Sequence, residues 1–345
     1  MTALTRLASE RQARLAATSD KASRGVLRLW NSNEGADLDA GWDRIAPQVE
    51  QIVTAAQITA ARQSTAYVRS AGGLLDADLD RAEIVPEAFG GATREGRAIA
   101  PELYAAVTTT KSLIGRGVGV GRAFRVGAAF MSVMAATIVR DAGRGADSTL
   151  SVGRGSKFSV RVVQSGACSR CAILAGIKGW RVDFDRHPGC KCTSMPLFDD
   201  EVPEGFHRSP EEYFESLSEA EQARVFTKAG AEAIRLGANP AKVVNARRGA
   251  YTYAKKHPDG TYSAARLRPI QIGTSKDGSP LMVYATQEGA TARGAWGRGQ
   301  ALDIRRAEDR YRRTSALRLM PEQIMSMATT PERARELLQR YGYLS

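Results

Sequence analysis

Apolar residues recur at helical spacing through most of the first 140 positions. Residues 2–30 read as a helix with an arginine- and alanine-rich face, broken by Asn31–Asp37. Trp42, Ile45, Val49, Ile52, Val53 and Ala56 then fall three or four residues apart or side by side, which predicts a long amphipathic helix over 38–70. Ser70–Leu75 ends it, Val85–Gly96 predicts a loop, and Pro101 sits near the first turn of the next helix. The longest apolar run, Val126–Val139, is shorter than the roughly 20 residues of a membrane span. It predicts a buried helix over 122–141, ending before Gly143–Ser148. Gly115–Phe124 is glycine-rich but lacks a Gly-Lys-Ser/Thr ending and a preceding strand, so a phosphate-binding loop is rejected. Its small residues are read instead as close helix contacts.

The texture then changes. Lys157–Gly166 has a β-branched, strand-like pattern, glycine- and aspartate-rich turns follow as far as Pro196, and acidic Phe198–Phe206 reads as a linker. Helix-start signals return at Ser209-Pro-Glu-Glu212, at Ser218-Glu-Ala-Glu221 and at Thr330-Pro331, with Gly342 as the final stop. No tandem repeat is visible. The predicted fold is mainly α with a small α+β core. It comprises a helical N-terminal region (1–150), a central cysteine/histidine segment (151–200) and a basic, mainly helical C-terminal region (201–345).

Composition changes this picture little, but charge does. The 345 residues are 43% hydrophobic and 25% charged, with a net charge of +12. Residues 1–100 carry 12 basic and 13 acidic side chains, so the whole excess belongs to the later part of the chain. Such a surface suits nucleic acid, an anionic membrane or an acidic partner. The first fifteen residues contain no apolar signal core, which implies synthesis in the cytosol.

All four cysteines lie within 25 residues: Cys168 and Cys171 in Cys-x-x-Cys, then Cys190 and Cys192 in His187-Pro-Gly-Cys-Lys-Cys. Disulfides do not suit a chain without an export signal. Two ligand pairs, each three residues apart, suit one tetrahedral structural zinc per chain. Cys168/Cys171 is one pair and His187/Cys190 the other, while Cys192 either replaces His187 or stands outside the shell. Arg170 and Lys191 favour ionised sulfur, and Gly166, Gly176 and Gly189 permit tight turns. The alternatives are a redox-sensitive thiol pair and buried cysteines that ligate nothing. A deaminase-type catalytic metal lacks its His-x-Glu. Residues 157–197 hold few large apolar side chains, so a metal staple is expected to stand in for a core. On that view Cys168→Ser would unfold 160–200 and spare the N-terminal helices.

Ala167–Pro196 resembles the core of the MuF-like minor head proteins of tailed bacteriophages, with actinobacteriophage members the nearest in type. Val243-Val-Asn-Ala-Arg-Arg-Gly249, Gly289–Gly294 with Leu319–Ala328, and the closing Glu336–Leu344 extend the resemblance over 120–345. The resemblance implies a structural, non-enzymatic protein of the virion, inside the head near the portal and made in the host cytoplasm. Its implied partners are the portal protein, the inner capsid and packaged double-stranded DNA, with no membrane. Many relatives keep the His-Pro-x-Cys-x-Cys element without the upstream Cys-x-x-Cys, so zinc here would be an elaboration.

Arg247, Arg248, Lys255 and Lys256 interleave with Tyr251 and Tyr253, and Arg305, Arg306, Arg310, Arg312 and Arg313 follow in a second basic run. Cations that bind phosphate and tyrosines that stack on sugar or base make these the candidate nucleic-acid residues, for salt-dependent contact without sequence readout. Solvated faces with intrahelical ion pairs are the competing account. The rivals in function are a head-carried effector enzyme, of nuclease or ADP-ribosyltransferase type, and a host zinc-ribbon nucleic-acid protein. Asp183 and Asp185 beside His187 are the only acid–base candidates, and a turn next to a metal explains them equally well.

Overall fold

The computed structural model describes residues 2–33, 37–163, 166–180, 186–258, 262–288 and 313–344. The fold is mainly α with a small β part, as the periodicities predict. The chain divides into two compact units, one of Met1–Ala167, Ala175–Arg208 and His257–Thr261, the other of Cys168–Leu174, Ser209–Lys256 and Tyr262–Ser345.

Three long helices make the first unit: α1 (Ala3–Asn31), α2 (Leu38–Leu74) and, after the short α3 (Ile99–Leu103) and α4 (Ala105–Gly115), α5 (Val120–Gly153). Thr2 caps α1 by accepting from the Thr5 amide, and Asp37 caps α2 by accepting from Asp39 and Ala40. Leu15, Ala22, Val26 and Trp30 of α1 meet Trp42, Ile45, Val49 and Val53 of α2 and Phe124, Met131 and Ile138 of α5 in one core. Arg11 lies buried in the same helix layer, with its guanidinium forked onto Asp147 at 2.9 and 2.8 Å.

The helix predicted over 122–141 does not stop at Gly143. It runs to Gly153, because Gly143 is where α5 lies against α1 and α2: a Cβ there would meet Leu15 Cδ2 at 2.4 Å and Ala60 Cβ at 3.2 Å. The glycines of 115–121 are not the close contacts expected of them. Nothing lies within 4 Å of a Cβ built at Gly115, Gly117 or Gly119, and they form the turn between α4 and α5, where Gly117 takes φ +85°. The closest approach falls on Gly127, whose added Cβ would sit 2.1 Å from Thr110 Oγ1 and 2.8 Å from Trp30 Cζ2. Gly127→Ala gains about 1 kcal/mol of helix propensity. It meets a β-branched hydroxyl already bonded to the Ala106 carbonyl and an immovable indole. Overpacking of this kind costs about 1–3 kcal/mol. We expect net destabilisation, read as a lower urea midpoint of the helical unit.

The remainder of this unit is an antiparallel sheet in the order β2-β1-β3, with β1 Phe158–Val162, β2 Lys178–Trp180 and β3 Thr193–Leu197. The sheet is not a separate domain. Val160, Met195 and Leu197 pack with Leu4, Tyr67, Val68 and Leu150 of the long helices, and Tyr67 donates to the Ser194 carbonyl at 2.6 Å. The segment that is poor in large side chains therefore borrows a core from the helices, and a boundary at 150/151 falls inside α5. The expected linker is also packed down: Phe206 is buried in the same cluster and Val202 lies against it.

In the second unit, α6 (Ser169–Ala172), α7 (Pro210–Glu215), α8 (Glu219–Phe226), α9 (Lys228–Arg235) and α10 (Pro240–Ala246) precede a run of short strands. These are β4 (Thr252–Tyr253), β5 (Arg266–Leu267), β6 (Ile270–Thr274), β7 (Pro280–Val283), β8 (Ala285–Glu288) and β9 (Arg313–Leu319), and α11 (Pro321–Met327) and α12 (Pro331–Arg340) close the unit. The capping signals at Ser209, Ser218 and Thr330 each accept the amide three residues on, and Ser218/Glu221 forms the full reciprocal box. The mainly helical reading of 201–345 is corrected at β4–β5 and β6–β7, which are antiparallel pairs. Their Thr, Tyr, Ile and Val content, with a tight turn at Asp277-Gly278, favours pleated pairs over a helix.

Candidate metal centre and basic surface

The five predicted donors fall in two sets, Cys168 and Cys171 in the second unit and His187, Cys190 and Cys192 in the first. Within the second unit the sulfurs of Cys168 and Cys171 lie within 4.8 Å of each other, and within the first unit so do those of Cys190 and Cys192. Cys168 is exposed, whereas Cys171, Cys190 and Cys192 are buried, and no disulfide joins them. These Cys/His groups can hold a metal ion. Thiolate and imidazole together form the donor set of a structural zinc site.

Local chemistry explains each half. Cys168 precedes the single turn of α6, and its carbonyl accepts from the Cys171 and Ala172 amides at 3.0 Å, which sets both side chains on one turn. His187 and Cys190 span a tight turn closed by the Cys190 amide on the His187 carbonyl at 3.0 Å. Gly189 takes φ +77° at its tip, a conformation that glycine alone adopts without strain. His187 Nδ1 lies 2.8 Å from the Pro188 carbonyl. A carbonyl only accepts, so Nδ1 carries the proton and Nε2 keeps the lone pair.

The residues that brace this turn come from α5 and β1 and have no signature in the sequence. Arg144 donates to the Cys192 carbonyl at 2.9 Å and to the Cys190 carbonyl at 2.5 Å, while its charge rests on Asp141 at 3.0 Å. Arg186, one residue before His187, also pairs with Asp141, at 2.6 Å, and with Glu95 at 3.0 Å. The Gly189 amide donates to Thr137 Oγ1 at 2.8 Å. Buried Arg161 points its guanidinium at Cys190 Sγ, 3.7 Å away, and so favours ionised sulfur. The neighbours expected to do this, Arg170 and Lys191, are exposed. Burial raises the Asp141 carboxyl against the pull of Arg144 and Arg186.

The candidate nucleic-acid residues separate. Arg247 is engaged, pairing with Glu322 and donating to Thr227 Oγ1 at 3.2 Å. Tyr251 accepts from Gln287 at 2.7 Å. Arg248, Tyr253, Lys255 and Lys256 are exposed. Arg305, Arg306, Arg310 and Arg312 lie outside the described residues, as do Asp183 and Asp185, and for Arg313 only the backbone of β9 is described.

One arginine of the second basic run is fully buried. Arg318 donates to Glu288 at 3.3 Å and to the Tyr341 and Gly342 carbonyls, and it lies 3.8 Å over the Tyr343 ring. Burial pushes the Glu288 carboxyl up to about 7, against the opposing charges of Arg318 and Arg248. A carboxyl whose pKa is raised by folding holds its proton more tightly in the native state. Its contribution to stability is complete below about 4.5 and is lost as pH rises through about 7. We expect the second unit to gain up to about 3 kcal/mol between pH 8 and pH 5 from this group. Urea midpoints at the two pH values measure the gain, and Glu288→Gln should remove most of the difference.

The chain matches no known protein-family model, no curated protein and no solved structure.

Proposed function

We propose that this protein is an architectural component of a tailed-phage head, of the MuF-like minor-head type, whose central segment is held by one structural zinc. What carries the reading is where the resembling blocks fall: the described ones are built of packing and bracing residues. In the first of the C-terminal blocks Val243, Val244 and Ala246 are buried. Gly249 lies so close to β8 that a Cβ would sit 2.4 Å from the Glu288 amide. In the later blocks Leu319, Met320, Ile324, Leu337, Leu338 and Tyr343 are buried. In the His187–Cys192 block the side chains that would hold the metal stand on a turn braced by Arg144 and Thr137. His187 would bind through Nε2, with thiolates from Cys171 and from its two sequence neighbourhoods. A bound zinc supplies a cross-link and fixes the thiolates in their ionised form.

The portal protein and inner capsid are the proposed partners, and packaged duplex DNA meets the exposed Arg248, Tyr253, Lys255 and Lys256. Mass spectrometry of purified virions tests the head assignment, because the chain should copurify with the portal. DNA contact is tested by the salt dependence of binding. Changing Arg248, Lys255 and Lys256 together to Ala should flatten the log–log slope by about 3 if each touches a phosphate. An unchanged slope assigns these cations to a solvated surface.

A further inference from the structure

We infer that Cys168 and Cys171 form a peroxide-reactive dithiol whose oxidation to a disulfide ejects the metal from the cluster. The inference rests on the zinc reading of the same site. Two observations carry it. Cys168 is the one exposed thiol of the four, so it is where a small oxidant arrives first. Cys171, three residues on along the same turn and with its sulfur within 4.8 Å of that of Cys168, is buried, which makes it the resolving partner. Both are ligands in the zinc reading, so their disulfide takes two sulfurs from the shell.

The chemistry needs one co-reactant, hydrogen peroxide. The Cys168 thiolate attacks one peroxide oxygen and the O–O bond breaks. Hydroxide leaves and takes a proton from solvent to become water, and Cys168 becomes a sulfenic acid. The Cys171 thiolate then attacks that sulfur, the S–O bond breaks, a second hydroxide leaves as water after protonation, and the S–S bond forms. Two electrons pass from the two sulfurs to the peroxide. The disulfide sulfurs no longer carry the charge that holds a divalent cation, and Cys190, Cys192 and His187 alone leave the shell one donor short of four.

The test uses the full chain, reduced and loaded with zinc. Peroxide is added in steps while a chromophoric chelator reports released zinc, and at each step remaining thiols are alkylated and mapped by mass spectrometry. The expected result is about one equivalent of zinc released in proportion to the Cys168–Cys171 disulfide, with Cys190 and Cys192 still alkylatable. Dithiothreitol with added zinc should restore the starting state. In Cys168→Ser, peroxide-driven release should slow at least tenfold. A disulfide that involves Cys190 or Cys192 instead, or zinc retained after Cys168–Cys171 has formed, overturns the inference. If the folded, reduced chain takes up no zinc at all, the metal reading fails. The disulfide map then still decides whether the dithiol assignment stands.

Discussion

Asp147→Ala should cost about 3–5 kcal/mol, the largest effect of any single change in the helical unit. Arg11 and Asp147 have side-chain exposures of 1% and 4%, so truncating the carboxylate leaves a guanidinium that cannot lose its proton in a dry helix interface. The remaining partners do not replace it. Nη1 reaches Gln63 Oε1 at 3.1 Å, and Nη2 reaches the Ala60 and Gly143 carbonyls and Ser64 Oγ, all of them neutral acceptors. These contacts tie α1 to α2 and α5, so the loss should register in all three helices as faster amide exchange. The pair itself is a weak source of net stability, because both ions were stripped of water to form it. Changing both residues, Arg11→Met with Asp147→Leu, should therefore recover most of what the single change removes. A double variant as unstable as Asp147→Ala would show that the cost lies in packing rather than in the stranded charge.

The second large effect is expected at Cys171. Cys171→Ser should lower bound zinc from about one equivalent to less than a tenth, measured by elemental analysis of protein purified without added metal, because the Cys168/Cys171 pair no longer offers two thiolates to a four-ligand shell. Cys192→Ser should retain more metal, because His187 can take the place of Cys192 in the shell. Neither this change nor Cys168→Ser is expected to unfold residues 160–200. Arg144, Thr137 and the Asp141–Arg186 pair brace the His187–Cys192 turn, and β1 and β3 are packed on the long helices. Amide exchange should rise around 168–174 while 193–197 stays protected. A Cys171→Ser protein with undiminished zinc would exclude this cysteine from the shell.

The long helices, their caps and the five clustered donors were legible because each is written in short-range spacing. A 3.6-residue period announced α1 and α2, Ser-x-x-Glu announced α8, and two ligand pairs three apart announced the metal groups. What failed depends on contacts distant in sequence. Nothing near Gly143 says that Leu15 and Ala60 will press on it, so a glycine that looks like a stop lies inside α5. Nothing near Arg144 or Arg161 marks them as braces for cysteines tens of residues away. Arg247 and Arg318 look like their solvent-facing neighbours in a charge count. Only their partners set them apart: Glu288 lies beside an Arg318 that is buried, and Glu322 engages a half-exposed Arg247.

Within about three turns, α5 serves two neighbours at once. Thr137, Asp141 and Arg144 face the cysteine turn, and Gly143 and Asp147 face α1 and α2. One residue inserted between Thr137 and Asp147 would rotate everything beyond it by about 100° and lift it by about 1.5 Å. Either face could be kept, but not both. Length variation among natural variants should therefore be tolerated in the glycine turn before α5 and be absent from this stretch. Grafting the cysteine turn onto another protein would require carrying these eleven helical residues with it.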